Sequence, residues 1–267
     1  MPTKQSQQNA GAAMTSVSHP HRSGTLYVVA VPIGHPDDVT VRAIRILSTV
    51  DLIASEDPKV TQQLLMHHSI RATVTSYGPR NLQEKAAVLL QRLQQGSHVA
   101  LVSDCGSPLV SDPGHLLVAA AHTHGILVVP VPGPSAIITA LTAAGFPCDS
   151  FYFLGHLPSA SSRITQRLLD SLKSNGPTVA FCTGTVVARL LKSLGDSAPQ
   201  CTVVVAYDLT KPNEHIIRGT AGEVSKKLGS PRGRDVTLVL AGKDGTESDD
   251  QDMRRAQSLS SRRIKTR

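Results

Sequence analysis

Three short stretches combine residue types and positions suited to holding a ligand: Pro32-Ile33-Gly34-His35-Pro36, Ser103-Asp104-Cys105-Gly106-Ser107-Pro108 and Pro132-Gly133-Pro134-Ser135-Ala136. Each follows an apolar strand-like run (Leu26 to Val31, Val99 to Val102, Ile126 to Val131), and Val99 to Val102 is of the continuous kind expected of a strand covered on both faces. Small residues there let a ligand approach the backbone, and open α/β sheets bind ligands beyond the carboxyl ends of their strands. Asp104 adds a carboxylate to the middle stretch. A helix starting at Ser135, with Pro134 at its head, would offer free N–H groups to an anionic or polar group. A second set of breakers, Ser111-Asp112-Pro113-Gly114, predicts an N-cap at Ser111 or Asp112 for a helix over Leu116 to His124.

The elements that must position these loops alternate along the chain. Helical periodicity covers Val39 to Val50, a helix running through Leu64 and Leu65, and Leu82 to Gln95, with short strands at Asp51 to Ser55 and Thr73 to Tyr77 between them. The pattern predicts an α/β domain with a largely parallel sheet over residues 24–146. The character shifts near Phe146-Pro147-Cys148-Asp149-Ser150. Beyond it a second α/β domain is expected over 147–242, with strands near Phe151 to Leu154, Thr178 to Cys182, Cys201 to Ala206 and Val236 to Ala241. Helices are expected over Arg163 to Lys173 and Val186 to Leu194, and a further helical stretch from Arg218-Gly219-Thr220 to Leu228.

The chain has 267 residues, 40% of them hydrophobic, which fits folded domains rather than wholesale disorder. It has no apolar run of the roughly 18 to 20 residues that spanning a membrane requires, and the first residues lack a secretory apolar core. A cytoplasmic protein without membrane contact is therefore expected. The net charge of +7 is carried at the ends. Residues 253–267 contribute +6 and residues 1–23 contribute +2, leaving −1 for residues 24–252. Segments 1–23 and 243–267 read as disordered, the latter as a basic tail able to meet RNA phosphates without reading sequence.

Several common chemistries lack their residues. There is no G-x-G-x-x-G after a strand, no G-x-x-x-x-G-K-[ST], no H-E-x-x-H and no G-x-S-x-G. Cys105, Cys148, Cys182 and Cys201 are widely spaced, and no metal site is expected. Buried thiols are expected for most of them, with a nucleophilic role only conceivable for Cys105. The pairs His67-His68 and His122/His124 sit near helix ends, where surface roles are expected.

Taken together, LYVVAVPIG (Leu26 to Gly34), DLIASED (Asp51 to Asp57), VALVSDCGSPLVSDPG (Val99 to Gly114), VVPVPGPSAIITAL (Val128 to Leu141) and LTKPNEHIIRG (Leu209 to Gly219) resemble the successive motifs of the ribosomal RNA small subunit methyltransferase I family, a tetrapyrrole methylase-like group. The resemblance runs from about Gly24 to Gly242 in order and spacing. It implies two α/β domains of the tetrapyrrole methylase type, not Rossmann-like, with S-adenosylmethionine in the cleft between them. It also implies a homodimer that 2′-O-methylates a cytidine of small-subunit ribosomal RNA, on the RNA or the ribosomal subunit.

The cofactor residues it implies are Pro32, Asp104, Gly106, Ser107, Ser135, Ala136, Thr183 and Ala206. For the hydroxyl proton it points to Lys211, Glu214 and Asp208, since a ribose hydroxyl is a weak acid that a base or a cation would assist. Departures fall mostly on the substrate side. E-D-T-R has become Glu56-Asp57-Pro58-Lys59, and S-Y-H-E-H-N has become Ser76 to Asn81. F-Y-E-S-P-H-R is replaced by Phe181 to Val187, and A-R-E-L-T-K by Ala206 to Lys211. The basic residues expected after L-P are Ser159 and Ala160. A second reading therefore stays open: a cofactor-binding relative with another small-molecule substrate or no activity.

Overall fold

The computed structural model describes residues 23–243 apart from 80, 113, 230 and 232. The N-terminal segment and basic tail expected at 1–23 and 243–267 lie outside the described residues, except for Ser23 and Lys243. Strands β1 (Thr25–Val29), β2 (Leu52–Ser55), β3 (Val74–Ser76), β4 (Val99–Val102) and β5 (Leu127–Val131) form one sheet in the order β3-β2-β4-β1-β5. Every pairing in it is parallel. Parallel neighbours need crossovers, and helices α1 (Val41–Thr49), α2 (Pro58–His67), α3 (Leu82–Gln94) and α4 (His115–Thr123) provide them.

Both faces of this sheet are covered, which is why β4 reads as an unbroken apolar run. Val99 and Leu101 join a core with Leu89, Leu93 and Leu117 from α3 and α4. Ala100 and Val102 join another with Ala43, Leu47 and Leu65 from α1 and α2.

The second sheet is mixed. Strands β6 (Tyr152–His156), β7 (Thr178–Thr183), β8 (Thr202–Tyr207), β9 (His215–Thr220) and β10 (Asp235–Leu240) lie in the order β6-β7-β10-β8-β9. Only β6 and β7 run parallel; β10 is antiparallel to both neighbours, as is β9 to β8. Helices α6 (Ser162–Ser171), α7 (Gly184–Ser197) and α8 (Ala221–Lys227) cover one face through Leu168, Leu190, Leu194 and Val224. The opposite face is covered by α5 (Ala136–Ala144), the helix that follows the last strand of the first sheet. Its Ile137, Ala140, Leu141 and Ala144 pack on Val179, Val204, Ala206 and Val239.

Two sequence expectations are corrected. The helical stretch expected from Arg218 begins instead at Ala221, because His215 to Thr220 pairs with β8 as an edge strand. There Thr220 and Glu223 form a reciprocal capping box, the device that fixes where α8 starts. Helix α4 is not capped by Ser111 or Asp112. Its N-cap is Gly114 at φ +136°, a conformation that suits glycine.

Replacing Leu141, 3% exposed between the sheets, by Ala should cost about 2–5 kcal/mol through lost burial and a residual cavity. Urea unfolding of both proteins measures it, and an unchanged midpoint would mean that α5 is not seated on the second sheet.

Candidate functional site

Three loops of the first sheet meet at the carboxyl ends of β1, β4 and β5. Val31 and Gly106 exchange backbone hydrogen bonds, Val31 N–H to Gly106 O at 2.9 Å and Gly106 N–H to Val31 O at 3.1 Å. The Ser107 hydroxyl donates to the Pro134 carbonyl at 3.4 Å, tying the β4 loop to the β5 loop. The Ser103 hydroxyl braces the turn by reaching the carbonyls of Cys105 and Gly106, each at 3.2 Å. Gly106 sits at φ +76°, so the tight bend that brings these loops together favours a residue without a side chain.

Across from these loops stand the ends of four strands of the second sheet, β6, β7, β8 and β10. Together they enclose a cavity of about 280 Å³ lined by Gly106, Ser107, Ser135 and Ala136 on one side and Phe181, Ala206 and Thr237 on the other. Ser135, the N-cap of α5, makes no side-chain capping bond, so the first N–H groups of that helix are left to the cavity. A second cavity of about 530 Å³ adjoins it, lined among others by Pro32, Gly34, Gln63, His67 and Asp104. Ile33, Cys105 and Lys211 line both.

Gly34 and His35 form the seam between the two halves at this end. A Cβ on Gly34 would lie 2.3 Å from the Leu209 carbonyl oxygen and 2.9 Å from Lys211 Cγ, and His35 N–H donates to Thr210 Oγ1 at 2.8 Å. The loop carrying Lys211 is fixed further from within. Asp208 and Thr210 have positive φ, Lys211 N–H donates to the Asp208 carbonyl at 2.9 Å, and Glu214 Oε2 accepts from Thr210 N–H at 2.7 Å. The Asp208 carboxylate is ion-paired with Arg234. Arg234 also lies over the Tyr207 ring, which stacks on His215 at 4.8 Å.

The structure thus gathers Gly106, Ser107, Ser135, Ala136, Ala206, Asp208 and Lys211 around one cavity, and Pro32, Asp104 and Lys211 around its neighbour. Asp104 has a structural job as well: its Oδ1 accepts from Asp57 N–H at 2.8 Å, fastening the β2 loop to the β4 loop. Two expected residues stand apart. Thr183 lines neither cavity and instead caps α7 by accepting from Val186 N–H, while Phe181 and Cys182 before it reach the cavity. Glu214 also lines neither, and its carboxylate holds the Lys211 loop.

Sequence reasoning missed Val110, Asp112, His156 and Asp235 to Thr237 as cavity residues. Asp112 is visible in the sequence as a loop acid. The Asp235 to Thr237 segment carries no local signal, because only the pairing of β10 between β7 and β8 brings it there.

Burial, with the neighbouring Asp104 and Asp112 carboxylates, raises the proton affinity of Glu56 above the usual carboxylate range. Burial and Asp104 raise Asp112 likewise, against the pull of the Ser103 hydroxyl and His156. The Cys105 thiol is pushed up chiefly by desolvation where it lines the cavities, although the residue as a whole is solvent-accessible, and further by the Asp112, Asp235 and Asp104 carboxylates, the reverse of what a nucleophile needs. Cys182 is pushed up to about 12 and Cys201 to about 11 by burial alone. Cys148, like Cys105, is exposed, so only two of the four thiols are the buried kind expected.

Residues 25–225 match the family profile of Tetrapyrrole (Corrin/Porphyrin) Methylases. The chain is 42% identical over 233 residues to Ribosomal RNA small subunit methyltransferase I of Escherichia coli O157:H7, covering 85% of this chain and 80% of that protein. It is 36% identical over 232 residues to the protein of that name from Thermotoga maritima, covering 83% of this chain and all of the relative. Among solved structures it resembles uroporphyrin-III-C-methyltransferase from Thermus thermophilus, with TM-score 0.58 and 18% identity over 85% of this chain and 98% of that one. A cobalt precorrin-4 methyltransferase gives TM-score 0.60 and 23% identity over 82% and 94%. At these identities the solved structures speak to fold.

The raised proton affinity of Glu56 has a stability consequence with a definite sign. The folded chain holds that proton more tightly than the unfolded chain, so the group's contribution to stability falls as pH rises through its raised value. Glu56→Gln should therefore raise the thermal midpoint near pH 7.5 and lose that advantage as pH falls towards about 4, where both side chains are neutral. Thermal scans at the two pH values check it; an equal difference at both would contradict it.

Proposed function

Because the chain belongs to the tetrapyrrole methylases and, among them, to the ribosomal RNA small subunit methyltransferase I family, we propose that it methylates the 2′-hydroxyl of a cytidine in small-subunit ribosomal RNA using S-adenosylmethionine. The observation that carries this reading is the pair of adjoining cavities with Lys211 at their boundary. The first has room and chemistry for the methyl donor, the second an open mouth for a larger substrate.

The residues of the first cavity fit the donor. The uncapped N-terminus of α5 at Ser135-Ala136 offers N–H groups to its carboxylate, and the small loop at Gly106-Ser107 lets it approach the backbone. Ile33, Val110 and Phe181 give apolar wall for an adenine ring. When bound, the donor supplies a methyl group on a positively charged sulfur. The protein's own part is positioning, which alone supplies several kcal/mol when two reactants are held in line.

Lys211 stands where the two cavities meet, and no other lysine or arginine lines either one among the described residues. Its ammonium is the group placed to offset negative charge as the ribose hydroxyl gives up its proton. Asp208, held by Arg234, and Glu214, bonded to Thr210 N–H, act by holding the Lys211 loop against Gly34.

Methyl transfer from labelled donor to small subunits, or to their naked RNA, from a strain lacking the protein tests the proposal. Transfer mapped to a cytidine ribose supports it; donor binding with no RNA methylation supports the second reading, a relative with another substrate. Lys211→Met should lower kcat by about 10²-fold or more, with donor affinity by calorimetry nearly unchanged. Wild-type turnover in that variant would remove Lys211 from the mechanism.

A further inference from the structure

His67 and His68 end helix α2 side by side, and their rings meet edge to face with centroids 4.8 Å apart. Opposite them lies the short 3₁₀ turn Pro36–Asp38 that follows the β1 loop. His67 Nε2 is 2.9 Å from Asp37 Oδ1, and His68 Nε2 is 3.0 Å from the Pro36 carbonyl oxygen. One ligand-type atom from each of Asp37, His67 and His68 thus lies within 4.8 Å of the others, with the Pro36 carbonyl beside them. Two further titratable groups belong to this turn: Asp38, and His35, whose Nδ1 accepts from Asp37 N–H at 3.2 Å.

These distances are those of a ligand set closed on itself by hydrogen bonds. Nitrogen and oxygen ligands at about 2.0–2.1 Å from a tetrahedral ion stand roughly 3.3 Å from one another, so small side-chain rotations would open the cluster around an ion. His67 and Asp37 have the freedom to make them, at 47% and 66% side-chain exposure. Two imidazoles select a borderline transition ion over magnesium or calcium, which prefer all-oxygen cages.

We infer that Asp37, His67 and His68 form a binding site for a divalent transition-metal ion of the zinc type, with the Pro36 carbonyl as a fourth ligand. This replaces the surface role that helix-end position gave the two histidines. Pro36 and His67 line the rim of the second cavity, so the ion would clasp the β1 loop to the end of α2 and set the width of that mouth.

The test is calorimetric titration of zinc chloride into untagged full-length chain stripped with chelator, with thermal midpoints measured with and without one equivalent. One ion per chain and a raised midpoint are expected, both lost in His67→Ala/His68→Ala. Asp37→Asn, which keeps the shape of the turn, should weaken binding by about tenfold or more. His19→Ala/His21→Ala and His122→Ala/His124→Ala should titrate like the wild type. Should the double variant fail to fold by circular dichroism, Asp37→Asn and His68→Gln carry the comparison. A wild-type chain that takes up no zinc overturns the proposal, as does uptake that survives the loss of His67 and His68 or of the Asp37 carboxylate.

Discussion

Helix α5 is the contact on which the site depends. It leaves the first sheet at Val131 yet buries Ile137, Ala140, Leu141 and Ala144 against Val179, Val204, Ala206 and Val239 of the second. One apolar interface therefore sets the spacing of the two sheets, and the N-terminus of the same helix opens into the space between them. The opposite end of the cleft is closed by a second contact of a different kind. Gly34 lies so close to Leu209 and Lys211 that no side chain fits, and His35 N–H is bonded to Thr210. Burial fixes one end and backbone proximity the other.

The charges in this cleft are unequal. Asp112 and Asp235 line the first cavity beside Asp208, whose charge is answered by Arg234, and Asp104 lines the second, against Lys211 as the cation shared by both. The raised proton affinities of Glu56 and Asp112 follow first from burial and then from the neighbouring carboxylates. A negative field of this kind suits a cationic sulfonium better than a phosphate. Under the proposed function, RNA phosphates would be met by surfaces outside the cleft, for which the basic residues of positions 253–267 are one candidate.

What the sequence made legible was what local pattern encodes. The unbroken apolar run at Val99 to Val102 identified the strand that proves central, and the breaker-rich loops after β1, β4 and β5 are the ones that converge. What it hid depends on pairing across distance. β9 reads as a helix start because an edge strand has a partner on one side only and His215 to Thr220 has no strict alternation. Asp235 to Thr237 reaches the cavity through the insertion of β10 between β7 and β8, whose partners are tens of residues away. Asp104 and Glu214 are recognisable in the sequence as loop carboxylates, but only Asp104 lines a cavity, and their bonds to Asp57 and Thr210 N–H groups are facts of folded loops that residue types cannot announce.

The central claim is that the turns of the first sheet and the strand ends of the second enclose one methyl-donor site. Hydrogen exchange of backbone amides, followed by mass spectrometry with and without saturating S-adenosylmethionine, tests it most directly. The account predicts simultaneous slowing in residues 103–107, 133–138 and 206–211, three of the segments that contribute to the lining of the first cavity. Donor binding that protects only one half of the chain, or that leaves all three segments exchanging as before, would contradict it.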